Sequence, residues 1–176
     1  MKVFNSGAKW DVVGQNSRLV NKVSTTPVNE VIYYSSLYRH GVDKKRRLQI
    51  PAKWLPTSGA VEFAVILWPK YSEGLCLRVL PPNEMVKLMA TIDAMPNTDS
   101  QKTILKRVIG SQSEHIEVDA AGRICLPEEM AKATGIKDKA VLVGLLDQFE
   151  IWNPEAYAKV QTADEVMAAE AFKRMS

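Results

Sequence analysis

The stretch VDKKRRLQIP at residues 42–51 returns later in the chain as VDAAGRICLP at residues 118–127. Each copy places an aspartate four residues before an arginine and then alternates apolar and polar residues up to a proline. Alternation with a period of two predicts a β-hairpin that buries one face. The repetition therefore indicates a duplicated unit whose shared polar residues lie in a turn.

The polar residues of each copy have the chemistry of a tight turn. Asp43 and Asp119 are predicted to organise the turns, because an aspartate side chain accepts hydrogen bonds from the amides that follow it. Gly122 suits a backbone with positive φ. Arg46 occupies the equivalent position of the first copy, where such a backbone costs a non-glycine residue about 1 kcal/mol. Contact with a phosphate could offset this cost.

The two copies differ in their local charge. The net charge of the chain is only +3, so the distribution of charge has to indicate the partner. Residues 39–53 hold six basic residues against one acid, a balance of +5, whereas residues 114–132 hold two basic residues against five acids, a balance of −3. A basic cluster in a turn is typical of nucleic-acid binding. We therefore expect a nucleic-acid partner, with the first turn contributing more than the second.

The composition sets the class of protein. The chain has 176 residues, of which 46% are hydrophobic and 24% charged, as is typical of soluble globular proteins with one domain or two small ones. Runs of 18 or more apolar residues are absent from the sequence, which predicts no membrane span. The first twenty residues lack the continuous apolar segment of a signal peptide, so we expect a cytoplasmic protein.

The sequence offers little for catalysis or for cofactor binding. His40 and His115 are its two histidines, and neither a glycine-rich phosphate loop nor a metal-ligand spacing is present. Cys76 and Cys125 lie in no nucleophile motif, and we predict that both are small buried residues. We therefore expect no enzymatic activity, no cofactor, no metal and no small-molecule substrate.

Proline and capping signals divide the chain. Helices are predicted to begin at prolines 51, 82, 127 and 154, because the first helical position needs no amide hydrogen. Thr98 and Gln101 resemble a capping box at the start of a further helix. The predicted segments are an N-terminal extension at 1–34, a first repeat at 35–97, a linker helix at 98–110, a second repeat at 111–160 and a C-terminal helical tail at 161–176.

Taken together, these motifs resemble the MraZ family. The resemblance rests on the paired turn motifs, on VLVG at 141–144 and on FEIW at 149–152, and it covers the chain from Tyr34 to Lys159. It implies an α+β fold made of duplicated swapped-hairpin β-barrel repeats of the SpoVT-AbrB type. It further implies a homo-oligomeric closed ring that binds direct repeats in double-stranded DNA and represses the division and cell-wall gene cluster.

The resemblance assigns DNA contact to the arginine of each motif, which is Arg47 in the first copy and Arg123 in the second. Arginine can bond O6 and N7 of a guanine together in the major groove. The sequence departs from the family where Arg46 replaces the usual glycine and where Ala121 is neutral. As an alternative, each arginine pairs with the aspartate four residues earlier and holds the turn; the two roles are compatible.

The remaining basic residues at the tip of the first turn are Lys44, Lys45 and Arg46. We predict that they bind backbone phosphates, which adds affinity without sequence preference. A regulator of this kind would be associated with the nucleoid.

A different class of function is an antitoxin-like protein-binding module that displays the helix from Pro154 to Lys173. The loose placement of apolar residues on that helix argues against it, because a partner-binding helix presents clear anchors.

Overall fold

The computed structural model describes residues 31–70 and 74–175, so most of the predicted N-terminal extension lies outside the described residues. The strands are β1 Leu37–Gly41, β2 Arg47–Gln49, β3 Glu62–Lys70, β4 Gly74–Leu80, β5 Ser113–Glu117, β6 Arg123–Cys125, β7 Lys139–Gly144 and β8 Phe149–Trp152. The α-helices are α1 Pro82–Asp93, α2 Ser100–Ser111, α3 Glu128–Thr134 and α4 Pro154–Lys173, and Ala52–Trp54 forms a short 3-10 helix. The predicted mixed α+β class is confirmed.

Six strands form one antiparallel sheet in the order β1-β7-β8-β4-β3-β5. In this sheet β1 of the first copy pairs with β7 of the second, and β5 of the second copy pairs with β3 of the first. The remaining strands, β2 and β6, pair with each other in a separate two-stranded ribbon. The two copies are thus interleaved. Within the described residues the strand pairing leaves β1 and β5 as edges and closes no barrel.

The predicted hairpin at the first copy is present only as a tight turn. Val42 and Leu48 form a single bridge across it, after which β1 and β2 separate. β1 instead makes five register pairs with β7, from Leu37–Val143 to Gly41–Lys139. Longer antiparallel pairing satisfies more backbone groups than a three-residue hairpin could, so the strands find partners in the other copy.

One core is shared by both copies. Leu48, Ile50, Ile124 and Leu126 point inward from the ribbon and are completely buried, as their period-two spacing predicts. Each such side chain contributes roughly 1.5–3 kcal/mol to folding. Beneath the ribbon lies an aromatic cluster with ring centroids 4.9–6.3 Å apart, which consists of Tyr34, Trp54, Phe63 and Phe149.

Gly144 is required where the chain enters this core. A Cβ atom at this position would collide with the backbone of Tyr34. The close approach lets Tyr34 pair with Leu146 through backbone hydrogen bonds of 2.8 and 2.9 Å. It thereby fixes the entry of the chain into the sheet.

The helix starts differ from the prediction at three points. Pro51 and Pro127 precede their helices as N-caps, and the first copy forms only the 3-10 turn. The cap of α2 is Asp99 and not Thr98, because the Asp99 carboxylate accepts a hydrogen bond of 2.8 Å from the Gln101 amide. Pro82 and Pro154 do open α1 and α4, as predicted.

Helices α1, α2 and α4 cover the other face of the sheet, whereas Met130 and Ala131 of α3 belong to the core on the ribbon side. Ile92 of α1 and Ile109 of α2 pack against Ala64 and Ile66 of β3. The first part of α4 packs towards β7 and β8. Among the described residues, none of the helices combines the length and the apolar character that crossing a membrane requires.

Candidate nucleic-acid interface

The β2–β6 ribbon brings the two repeated motifs together. Its register pairs Arg47 with Cys125, Leu48 with Ile124 and Gln49 with Arg123. Since Leu48 and Ile124 point into the core, the flanking side chains all project from the opposite, outward face. Arg47 and Arg123 are therefore diagonal neighbours on one face, where such positions lie about 7–8 Å apart. The two candidate base-reading residues share a surface.

The first turn is built around the Asp43 carboxylate. Oδ1 of Asp43 accepts hydrogen bonds of 2.9 Å from the amides of both Lys45 and Arg47. Oδ2 accepts a hydrogen bond of 2.6 Å from Nε of Arg47. The backbone closes the turn through the Arg46 amide, which donates to the Asp43 carbonyl at 2.8 Å. The Asp43 carboxylate thus accepts three hydrogen bonds within its own turn.

The second turn repeats these bonds one for one. Oδ1 of Asp119 accepts 2.9 Å hydrogen bonds from the amides of Ala121 and Arg123, and the Gly122 amide donates to the Asp119 carbonyl at 2.8 Å. Oδ2 accepts from Nε of Arg123 at 3.0 Å and lies 2.8 Å from its Nη2. In the second turn, the atom closest to the carboxylate is thus the outer guanidinium nitrogen Nη2 of Arg123. In the first turn it is Nε of Arg47.

Both aspartates stay ionised over the neutral range. The pKa of Asp43 is lowered, first by the hydrogen bond from the Arg47 amide, and the pKa of Asp119 is lowered, first by the side-chain hydrogen bond from Arg123. A lowered pKa in the folded state means that these bonds add stability above the ordinary aspartate pKa and lose it as the pH falls through the folded value. At neutral pH both carboxylates therefore carry the charge that these hydrogen bonds favour.

The structure shows the alternative that the sequence left open, in which each arginine pairs with the aspartate four residues earlier. Arg47 is joined to Asp43 and Arg123 to Asp119 as i, i+4 ion pairs. The pairing does not bury the arginines, whose side chains keep 36% and 33% exposure. Each guanidinium group is thus oriented by a carboxylate and still reaches the surface.

The tip of the first turn carries two exposed lysines. Lys44 and Lys45 are exposed. Within residues 31–70 and 74–175, no carboxylate forms an ion pair with either ammonium group. The equivalent positions of the second turn are Ala120 and Ala121. The two turns thus share one frame but differ in the charge that they present.

Arg46 and Gly122 adopt the same left-handed backbone, with φ of 60° and 76°. A Cβ atom on Gly122 would lie 2.9 Å from Nε2 of Gln49 and 3.3 Å from Cδ1 of Leu55. In sequence, the residues equivalent to Gln49 and Leu55 are the smaller Cys125 and Ala131, because the repeats are offset by a constant number of residues. The left-handed position carries a side chain in the first turn, whereas in the second turn a Cβ atom would strain the backbone and displace the end of the Gln49 side chain.

Comparisons with known proteins place this chain among related sequences. The protein "Transcriptional regulator MraZ" of Rickettsia rickettsii (strain Sheila Smith) is 30% identical over 138 residues, which cover 78% of this chain and 92% of that relative. The chain belongs to the MraZ family. The MraZ relative from Parvibaculum lavamentivorans is also 30% identical, over 78% of this chain and 82% of its own length. The family model described as "MraZ protein, putative antitoxin-like" matches residues 111–176.

In this member of the MraZ family the fold places one acidic residue of the second copy beside the first turn. Sequence counting places Glu128 in the field of Arg123, but its carboxylate lies 3.8 Å from Nη1 of Arg46. Arg46 also donates from Nε to the Leu126 carbonyl at 3.1 Å. Glu128 is held in addition by Lys132 at 2.9 Å. The first turn is therefore partly neutralised by the second copy, which local charge counting missed.

One prediction about the cysteines of this MraZ-family chain is wrong. Cys76 is buried, but Cys125 is exposed on the outward face of β6, where its Sγ lies 3.3 Å from the Lys45 carbonyl. The period-two pattern contained the signal, since Cys125 lies between the buried Ile124 and Leu126. Its equivalent in the first copy, Gln49, likewise bonds the backbone of the opposite turn, at the carbonyls of Ala121 and Gly122.

The histidines lie far from each other. His40 is on β1 and His115 on β5, and these strands are the two edges of the sheet. His115 is 3.2 Å from a carboxylate oxygen of Glu62, and His40 stacks on Tyr38 with ring centroids 6.0 Å apart. Among the described residues, histidine, cysteine, aspartate and glutamate form no group suited to a metal ion.

Proposed function

We propose that this protein is a transcriptional regulator that binds double-stranded DNA through the outward face of the β2–β6 ribbon. The observation that carries the proposal is the pair of identically bonded turns, whose arginines project from one surface beside a basic tip. The names of the relatives as transcriptional regulators support the same function. We propose that the protein acts by binding DNA and not as an enzyme.

The residues divide the work of recognition. Arg47 reads a base edge, because its Asp43 partner orients the guanidinium group without burying it. Arg123 does so less effectively, since an outer nitrogen, Nη2, already lies 2.8 Å from Asp119. Lys44, Lys45 and Arg46 bind phosphates and fix the protein on the duplex.

The repeats are arranged as swapped hairpins of the SpoVT-AbrB type. The pairing of β1 with β7 and of β5 with β3 supports this relation, since each copy contributes its first strand to the other. The proposed boundaries remain 35–97 and 111–160 for the repeats, with 98–110 as linker helix and 161–176 as tail. One chain offers only two turns, which is little surface for specific binding when a single small module buries roughly 600–1,000 Å².

A closed ring of identical chains supplies the missing contacts. Copies of the basic turn at regular spacing would engage direct repeats in a promoter, and their separate affinities would combine through effective concentration. We propose that the ring acts in the cytoplasm, associated with the nucleoid, and represses the division and cell-wall gene cluster.

A mobility-shift titration tests the proposal. The full chain is titrated onto the DNA upstream of its own gene at two salt concentrations, beside a scrambled duplex of equal length. If four to six phosphates are neutralised, the slope of log affinity against log salt should be about −4 to −5. Preference for the native duplex over the scrambled one is expected. Equal affinity for both duplexes would show that binding is electrostatic and not sequence-specific, which would contradict the proposal.

A second candidate function is an antitoxin-like protein-binding module. The observation that favours it is the large exposure of apolar residues on the last part of α4, such as Val166 and Phe172. Stoichiometric binding of a protein partner without any DNA preference would support it.

A further inference from the structure

A segment of the second copy lies directly beside the first turn. The Val42 amide donates a hydrogen bond of 2.9 Å to the Asp138 carbonyl, and Gly41 at the end of β1 pairs with Lys139 at the start of β7. Both lysines of this segment, Lys137 and Lys139, are exposed. Since Gly41 has no side chain, the residue opposite Lys139 leaves its ammonium group uncovered.

A continuous groove joins these lysines to the tip of the first turn. It consists of three adjoining depressions of about 390–450 Å³ each. Lys137 lines the first depression together with Lys44 and Arg46, and it also lines the second. Lys139 lines the second depression and the third, where Arg39 of β1 is also found. We call Arg39, Lys137 and Lys139 the basic flank of the first turn.

The groove has an excess of positive charge. Six basic and four acidic side chains line its three depressions. Two of the acids, Asp43 and Glu128, are already held by basic partners, which leaves Asp138 and Glu155. Within residues 31–70 and 74–175, the three residues of the basic flank form no ion pair. They can therefore bind an anion without first giving up a carboxylate.

The corresponding surface beside the second turn is acidic. There β5 ends at Glu117, which pairs with Glu62 of β3, whereas the pair beside the first turn is Gly41 with Lys139. Nδ1 of His115 lies 3.2 Å from a carboxylate oxygen of Glu62. We call Glu62 and Glu117 the acidic flank of the second turn. The same pairing of strands thus attracts an anion beside one turn and repels it beside the other.

We propose that the basic flank binds backbone phosphates of the duplex, so that one DNA strand lies along the groove and the acidic flank stays clear of DNA. The inference rests on DNA binding as the proposed function and adds a contact made by the second copy. Ammonium and guanidinium groups form strong, charge-assisted hydrogen bonds with phosphate. The groove begins at Lys44 and Arg46, which are themselves proposed to bind phosphates, and this continuity favours DNA over the acidic flank of another copy of the chain.

Removal of two charges from the basic flank tests the contact. The full chain with Lys137→Gln and Lys139→Gln is titrated by mobility shift onto the DNA upstream of its own gene, over a series of salt concentrations. Affinity should fall about thirty-fold near 0.15 M salt and the log–log salt slope should become less steep by about two, because two phosphates lose their partners. Discrimination against a mismatched duplex should be unchanged, since phosphate contacts carry no sequence information.

The matched control removes the same charge elsewhere. Arg107→Gln with Lys173→Gln changes exposed residues of α2 and α4 that lie outside the groove, and it should leave the salt slope unchanged. Ethylation of single phosphates in the same duplex gives a readout that folding alone would not move. Interference at a distinct set of phosphates should disappear in the Lys137→Gln, Lys139→Gln variant and persist in the control.

The outcomes separate this inference from the proposed function. Circular dichroism should show both variants folded, since the substituted side chains are exposed. An unchanged salt slope in the flank variant would overturn the inference and leave DNA binding by the turns intact, and an equal loss in the control would overturn it by showing that only total charge matters. Absence of DNA binding by the unmodified chain would overturn both. Sedimentation velocity without DNA should show the flank variant in the same oligomeric state as the unmodified chain; loss of assembly would assign the basic flank to the acidic flank of another copy and overturn the inference.

Discussion

The turns at residues 43–47 and 119–123 have the same hydrogen bonds but different side chains at their tips. In both, one aspartate binds two amides and an arginine, so the shape depends on two residues of five. The first turn adds Lys44, Lys45 and Arg46 where the second has two alanines and a glycine. The comparison shows that the hydrogen bonds of the turn can be duplicated while the side chains at its tip differ in charge.

The largest expected effect of this difference is on base reading. Arg47→Ala should lose about 1–3 kcal/mol of discrimination between the native box and a mismatched one, because a bidentate contact to a base is removed. Arg123→Ala should lose less, since its Nη2 already faces Asp119 at 2.8 Å. Competition mobility shifts with matched and mismatched duplexes measure both losses.

Arg47→Lys serves as the control for charge. It keeps the cation but not the planar fork, so general affinity should be nearly retained while discrimination falls. If Arg47→Ala left the preference for the native box unchanged, Arg47 would be limited to holding the turn through Asp43.

The next effect concerns phosphate binding at the tip. Replacing Lys44 and Lys45 by alanine should lower affinity about thirty-fold near 0.15 M salt and make the log–log salt slope less steep by about two, equally for all sequences. The reverse change, Ala120→Lys with Ala121→Lys, gives the second turn the tip of the first. It should steepen the slope by a similar amount if the second turn also faces the duplex. An unchanged slope in this variant would confine DNA contact to the first turn.

Alanine substitutions at the left-handed position, Arg46 in the first turn and Gly122 in the second, should change the free energy of unfolding by different amounts. Gly122→Ala should destabilise the protein by about 1–2 kcal/mol, from the positive φ and from displacement of Gln49, whose Nε2 donates to the Gly122 carbonyl at 2.9 Å. Arg46→Ala should cost less, because that backbone already carries a Cβ atom and the change removes only the bond from Nε to the Leu126 carbonyl and an exposed ion pair with Glu128. Denaturant unfolding followed by circular dichroism measures both. Equal costs would mean that Gln49 does not crowd the second turn.

Much of the local structure could be predicted from the repeated motif. Alternation identified Leu48, Ile50, Ile124 and Leu126 as buried, and the aspartates were identified as the organisers of the turns. These features depend on a few adjacent residues, where pleat and turn chemistry dominate.

Pairing across the chain could not be predicted in the same way. The contacts of β2 with β6 and of β1 with β7 join residues far apart in sequence, and alternation fixes which face is buried but not which strand is the neighbour. The same pairing brings Glu128 to Arg46, so a count of charges along the sequence assigned that acid to the wrong turn. The repeated motif did contain one signal for this pairing, because two similar short strands, here β2 and β6, can pair with each other symmetrically.

The smallest expected effect tests this exchange of charge between the copies. Hydrogen bonding from Lys132, followed by the charges of Lys132 and Arg46, lowers the pKa of Glu128, so the carboxylate is ionised at neutral pH. Glu128→Gln removes its charge and should raise DNA affinity about two- to five-fold near 0.15 M salt, because Arg46 then neutralises phosphate alone. Stability should hardly change, since both groups are exposed. Glu129→Gln is the matched control, because Glu129 is 85% exposed and pairs with Lys132 at 3.1 Å. A gain with Glu129→Gln as large as with Glu128→Gln would show that only the total charge matters, whereas a gain confined to Glu128 would show that the second copy tunes the first turn through the ribbon.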